Sequence, residues 1–493
     1  MKIGNAFILL VTLVMVTSCT KSFLDVNKDP NSVTDAPPRT LLPNTTVSMA
    51  FASSNEMGKA AALLMQYNAN TNSASVAGAY DTWIMGGFES QWDNEIYDGT
   101  LNNLGIIIDK TQAKSPAYAG IAKLQFAYTI SMATDLFGDV PYSQAAQGFD
   151  ANGVLKYQQP VFDAQMDIYL GNTSKGVKSL FNLVREGLAD LSTPSILKPS
   201  IDDLVYNGDL SKWTRFGNSL LLKFALQVSN KAADTTKNVI NSVLAGKPFI
   251  DDITGNLDCK VPFSAANPNA YYLQDIGGSI PNTQMLSNRF LALERSLNDS
   301  TRLSKLYTKP AATFIGNDNG SPFTAPVLAT RSGYGVYVLG QTLSGEAPVR
   351  LMTAFRNYFI LAEAALRFGV TGDPNVYYQN GIKASMKSVG MTDAEIAAYF
   401  AANTAVVTLT GTADNKLMQI ITQKYIASVG NAIESYNDYR RTGYPVLTAP
   451  LTTAGDDPST LPTRFSYTTS EGASNSNQPN PKPKTNVKIW WAL

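Results

Sequence analysis

The 493-residue chain contains no histidine, and that one absence removes several chemistries. No Ser-His-Asp or Cys-His nucleophile system exists without an imidazole base. No His zinc ligand exists either, so HExxH metallopeptidase chemistry is excluded. Cysteine is almost as scarce, with two residues, and charge is thin: 39 basic and 39 acidic side chains, 16% of the sequence and a net charge of zero. Nucleic acid needs a basic face to neutralise phosphates, so it is not an expected partner. Past the N-terminus, no apolar run approaches the ~20 residues that span a bilayer. An enzyme built from this composition would have to use carboxylates, Lys, Tyr or a bound cofactor. What is abundant is uncharged polarity, with aromatics at 10% of the chain and 23 Tyr.

The first 18 residues read as an export signal. Lys2 precedes an apolar run from Ala6 to Val16, too short to cross a membrane and the right length for a signal h-region. The run ends in Val16-Thr17-Ser18-Cys19, a bacterial lipobox pattern. Cleavage there leaves Cys19 as the acylated first residue. Several acyl chains anchor a protein stably, because each buried CH₂ contributes ~0.8 kcal/mol. Cys259 is then alone, and the expectation is a small packed residue rather than a disulfide partner. Residues 19–38 read as a polar tether, and residues 39–493 as one domain.

Within that domain helical periodicity dominates. Ile121, Leu124, Tyr128, Met132 and Leu136 recur every three or four residues, as do Leu351, Phe355, Phe359, Ala362 and Leu366. Gly369 is placed to stop the second helix, and Asp373-Pro374 to start the next as N-cap and first-turn Pro. Thr392 with Glu395 forms a capping-box pattern. Residues 247–345 are richer in Gly, Pro and Asn and read as a loop-rich insertion. The fold class expected is mainly α.

Several segments, taken in order, resemble the SusD/RagB family of Bacteroidetes outer-membrane nutrient-binding lipoproteins, in its SusD-like branch. They are FLDVNKDPN (Phe23 to Asn31), DLFGDVPY (Asp135 to Tyr142), SKWTRFGNSLLLKFAL (Ser211 to Leu226) and NYFILAEAALRFG (Asn357 to Gly369). AIESYNDYRRTGYP (Ala432 to Pro445), LPTRFSYTTSEGASN (Leu461 to Asn475) and VKIWW (Val487 to Trp491) follow. Lys223 stands where the family often has Arg. The resemblance implies a scaffold of tetratricopeptide-like helical hairpins, a surface position on the outer membrane, and a SusC-like TonB-dependent transporter as partner. It implies capture of a nutrient, usually a glycan, without catalysis and without a cofactor or metal.

The motifs themselves read as scaffold, so the ligand contacts must be sought elsewhere. Sugars present C–H faces to aromatic rings and hydroxyl rims to amides and carboxylates. Residues 68–97 offer that mixture: Asn70, Asn72, Tyr80, Asp81, Trp83 and Trp92. Packing is the expected alternative role for Trp92, which opens a helix. The insertion offers Tyr271 and Tyr272, then Arg331 with Tyr334. The same architecture is compatible with a peptide or another small nutrient as ligand. A glycoside hydrolase needs only two carboxylates at a set spacing, but no such pair stands out in the sequence.

Overall fold

The computed structural model describes residues 36–148 and 156–493. Cys19 and the proposed signal lie outside the described residues. The first helices are α1 (Pro38–Ser54) and α2 (Glu56–Leu64), followed by the short α3 (Val76–Asp81). A π-helix (Gln91–Asn102) then runs directly into α4 (Asn103–Thr111), and α5 (Pro116–Phe137) follows after a turn. The scaffold continues with α6 (Leu180–Leu191), α7 (Leu210–Gln227) and α8 (Ala233–Leu244). It closes with α9 (Ala354–Phe368), α10 (Pro374–Ser388), α11 (Asp393–Ala402), α12 (Ala413–Ala427) and α13 (Ala432–Thr442). Neighbouring helices pack as tetratricopeptide-like hairpins, with α5 on α6, α7 on α8 and α9 on α10.

Helix ends follow local chemistry. Asp209 caps α7 by accepting from the Ser211 and Lys212 amides. Gly369 ends α9 with φ +61°, a left-handed cap that glycine adopts without a Cβ clash. Thr392 and Glu395 close the expected capping box on α11. Every residue of α5 is buried, so this helix is packed on all sides, and its apolar stripe is only part of its buried surface.

Strands are few and short. Among the described residues three antiparallel pairs form: β1 (Asn68–Asn70) with β5 (Gln284–Leu286), β2 (Val140–Pro141) with β3 (Phe162–Asp163), and β4 (Cys259–Val261) with β6 (Val349–Met352). Strands β4 and β5 belong to residues 247–345, so that segment is tied to the rest of the chain at two places. Cys259 is fully buried within β4.

The family-like motifs meet at one buried polar centre. Asp135 of α5 accepts from Tyr169 Oη at 2.8 Å and from Trp491 Nε1 at 2.9 Å. Asn437 of α13 donates to its other oxygen at 3.2 Å. Burial pushes the Asp135 carboxyl up to about 6, with Lys223 opposing the rise. Trp491 is therefore a packing anchor that binds the C-terminus to α5 and α13.

Candidate functional site

Asp81 organises the region in which the sequence concentrates polar and aromatic residues. Its carboxylate is buried and takes four donors. Oδ2 accepts from the Asn70 amide at 3.0 Å, Asn70 Nδ2 at 2.7 Å and the Gly320 amide at 2.8 Å. Oδ1 accepts from Asn319 Nδ2 at 2.6 Å. Burial raises its pKa and these donors oppose the rise; burial prevails.

The consequence is mechanical. One carboxylate clamps β1 to the loop around residue 320, and neighbouring bonds extend the clamp. Asn317 Nδ2 reaches the Asn70 carbonyl at 2.7 Å, and the Thr71 amide reaches the Thr283 carbonyl at 2.9 Å. Leu451 donates to the Asn319 carbonyl, Thr452 Oγ1 to the Gly320 carbonyl, and Ala454 to the Thr82 carbonyl. Gly320 sits at φ +65°, and a Cβ there would lie 2.7 Å from Pro450 Cβ. Four loops from distant parts of the chain thus form one rigid cluster.

The candidate residues divide by burial. Asn70 and Asp81 are buried parts of the clamp. Trp83 is 5% exposed at φ +76°, with Gly455 laid flat against its backbone. Tyr80 is buried and stacks on Phe88 at 5.5 Å. Trp92 is buried against Phe137 and Tyr97, both at 4.9 Å, and donates Nε1 to Glu471 at 3.2 Å. Tyr271 is buried and bonds the Gly430 carbonyl, while Tyr334 packs on Tyr307 at 5.7 Å. The expectation that these five rings offer a face to ligand is corrected: all five are buried, and Trp92, in the π-helix, packs away from the loops held by Asp81. Asn72 is exposed, and Tyr272 and Arg331 are half-buried. Arg331 holds its own loop, donating Nε to the Pro326 carbonyl at 2.7 Å.

The loop cluster carries an aromatic that sequence reading passed over. Phe323 lies three residues beyond Gly320 and is 74% exposed. Ile84, Ile280, Val327, Leu328 and Leu451 are exposed on the same set of loops. The available signal was Pro322 and Pro326 around Phe323. Prolines on both sides keep the ring out of any helix or central strand.

A concavity of about 650 Å³ lies beside the π-helix. Tyr97, Asp98 and Asn102 line one wall, and Pro141, Gln144 and Glu471 stand opposite. None of the sequence candidates lines it. Among the described residues no group of three or more Cys, Asp and Glu side chains is placed to hold a metal ion. No helix among them is long and apolar enough to cross a membrane.

Comparisons place this architecture. A chitin-binding protein superposes with a TM-score of 0.75 at 24% identity, over 93% of this chain and 100% of that one. A chitin-binding SusD homologue from Flavobacterium johnsoniae gives 0.75 at 21%, over 92% and 98%. A SusD homologue from Bacteroides uniformis gives 0.71 at 20%, over 92% and 98%. At these identities the likeness establishes the fold. No curated protein matches the chain in sequence. Residues 30–468 match the family model SusD-like, described as starch-binding associating with outer membrane. That match runs over most of the sequence, and the chain belongs to the SusD-like family of outer-membrane-associated binding proteins.

Proposed function

We propose that the protein captures an oligosaccharide on the loop cluster held by Asp81 and delivers it to a SusC-like TonB-dependent transporter. The observation that carries this reading is Phe323. A largely exposed ring on a rigid loop is a ready surface for the C–H face of a sugar, and Asn72 and Arg331 supply polar groups on the same loops. Holding the loops before ligand arrives lowers the ordering cost of binding. The starch- and chitin-binding descriptions of the family and of the structural neighbours support a glycan over a peptide. Acylation at Cys19 would place the protein on the outer membrane, within reach of such a transporter.

Calorimetric titration with maltooligosaccharides, chitooligosaccharides and a peptide library, side by side, tests the cargo class. Covering the Phe323 ring contributes about 1.5–3 kcal/mol, so Phe323→Ala is expected to weaken glycan binding about tenfold or more. The melting temperature should hold, because the ring packs on little. An unchanged Kd for Phe323→Ala would remove this face from the glycan site. Recovery of a transporter barrel with the full-length protein from membranes tests the delivery step.

A further inference from the structure

Glu294 is an acid held without a partner. It lies in the helix Asn288–Ser296 of the loop-rich insertion and is fully buried. Among the described residues neither of its carboxyl oxygens takes a hydrogen bond, and it makes no ion pair. A buried carboxyl in that position is costly when charged and much less so when it keeps its proton.

The surrounding charges offer it no counterion. Facing it are Asp299 and Arg302, from the cap and first turn of the next helix (Ser300–Leu306). Tyr307, Tyr399 of α11 and Tyr425 of α12 also feel its charge. Arg302 is the one cation among these described neighbours, and its charge is already matched. It is fully buried, and its Nη2 meets Asp299 Oδ2 at 2.5 Å. The same guanidinium joins the insertion to the scaffold. Nη1 donates to Ser385 Oγ of α10 at 3.1 Å, and Nη2 to Gln423 Oε1 of α12 at 2.9 Å. Tyr399 Oη adds a bond to the Leu297 carbonyl at 2.9 Å. Arg302 Nε and Gln423 Nε2 make no hydrogen bond, so neither reaches Glu294.

One cation and two carboxylates in a fully buried site balance only when one carboxyl holds a proton. Asp299 has the guanidinium and the Arg302 amide, the latter at 3.4 Å, so the proton falls to Glu294. Burial pushes the Glu294 carboxyl well above its usual range; Arg302 opposes the rise and Asp299 adds to it.

We propose that Glu294 is a pH-sensitive latch: protonated, it lets residues 288–307 seat on α10 and α12, and its ionisation draws Arg302 away from Ser385 and Gln423 and loosens that seat. A carboxyl that keeps its proton in the folded state contributes stability in full below its unfolded value, near 4.5. That contribution is lost as pH rises toward the folded value, by about tenfold in the folding constant per pH unit.

The test compares the full-length protein with Glu294→Gln, a neutral copy of the protonated acid, by urea unfolding across pH. Relative to the variant, wild type is expected to lose about tenfold in folding constant per pH unit once pH passes the unfolded value. Glu294→Met, which carries no donor or acceptor of comparable strength, should give the same slope if the Gln amide disturbs folding. At one pH above neutral, hydrogen exchange in residues 288–307 should be faster in wild type than in the variant and equal in α5. An infrared difference spectrum at that pH should show the C=O band of a protonated carboxyl in wild type only. A gap that does not change with pH, or that turns against the variants as pH rises, overturns the proposal. Absence of the protonated band overturns it too. Equal exchange in residues 288–307 overturns the latch even where the band is present.

Discussion

Glu363→Ala is expected to lower the unfolding free energy by about 3–5 kcal/mol, the cost typical of breaking a buried ion pair from one side. Glu363 lies in α9 and is fully buried. Its Oε2 accepts from Arg441 Nη2 at 2.7 Å, and its Oε1 from Arg441 Nη1 and from Arg367 Nη1, the latter at 2.6 Å. Arg441 is itself buried and also bonds Asp438, which Lys424 reaches at 2.9 Å. Deleting Glu363 leaves the buried Arg441 and Lys424 sharing Asp438 as their one carboxylate, with Arg367 at the rim. Glu363→Gln keeps an acceptor but not the charge, so it should cost less than Ala and more than a surface change. Burial alone would raise the Glu363 pKa; Arg441, then Arg367 and Lys424, hold it below the usual range. A depressed folded-state pKa contributes stability that is present above the unfolded value, near 4.5, and lost as pH falls through the folded one. The gap between wild type and Glu363→Gln in urea midpoint should therefore be largest near neutral pH and shrink in strong acid. A loss under about 1 kcal/mol for Glu363→Ala would mean that the pair is far wetter than its burial implies.

This ion cluster shows what the sequence makes legible. Asp438 and Arg441 are three apart on one helix, so their pairing is readable from spacing alone, and the structure has it at 2.8 Å. Gly369, Asp373-Pro374 and the Thr392–Glu395 box are equally local, and each falls where its spacing puts it. Glu363 with Arg441 joins residues 78 apart, and no periodicity marks such a pair. The π-helix is another case. Residues 91–102 give no sequence sign of a wider turn. There Gly99 faces Ser48 of α1 so closely that a Cβ would collide with its hydroxyl, and Ser48 Oγ bonds the Glu95 carbonyl at 3.0 Å. Packing against α1 accompanies the local geometry. The burial of Tyr80, Trp83, Trp92, Tyr271 and Tyr334 is hidden for a related reason. A ring among polar neighbours looks the same in sequence whether it faces solvent or not. Phe137 and Glu471 decide the matter for Trp92, and for Tyr80 it is Phe88, which Phe465 covers in turn; Phe137, Phe465 and Glu471 lie far along the chain. Phe323, with prolines on either side and little to pack on, stays exposed.

Asp81→Ala is expected to disable the candidate site while leaving the helical scaffold folded. The change strips the acceptor from two backbone amides, Asn70 and Gly320, and from two side-chain amides, Asn70 Nδ2 and Asn319 Nδ2. Asn319 Nδ2 retains the Asn68 carbonyl at 2.8 Å. The Gly320 amide retains nothing comparable, and each buried donor left without a partner costs about 1–3 kcal/mol. A loss of about 3–5 kcal/mol follows if the loops stay in place; if they open to water instead, the cost falls and the site is lost. Because these loops are joined mainly by hydrogen bonds rather than by apolar burial, opening is the expected outcome. Hydrogen exchange should rise at residues 70–71, 319–320 and 451–454 and stay unchanged in α5 and α9. Glycan affinity should fall by more than in Phe323→Ala, since Asp81 positions every loop and Phe323 supplies one contact. Asp81→Asn keeps one acceptor oxygen but turns an amide N–H₂ toward existing donors, so it should resemble Ala more than wild type. Loosened loops with undiminished glycan binding would show that Asp81 holds a structural corner and that the ligand sits elsewhere, with the cleft beside Tyr97 the next place to mutate.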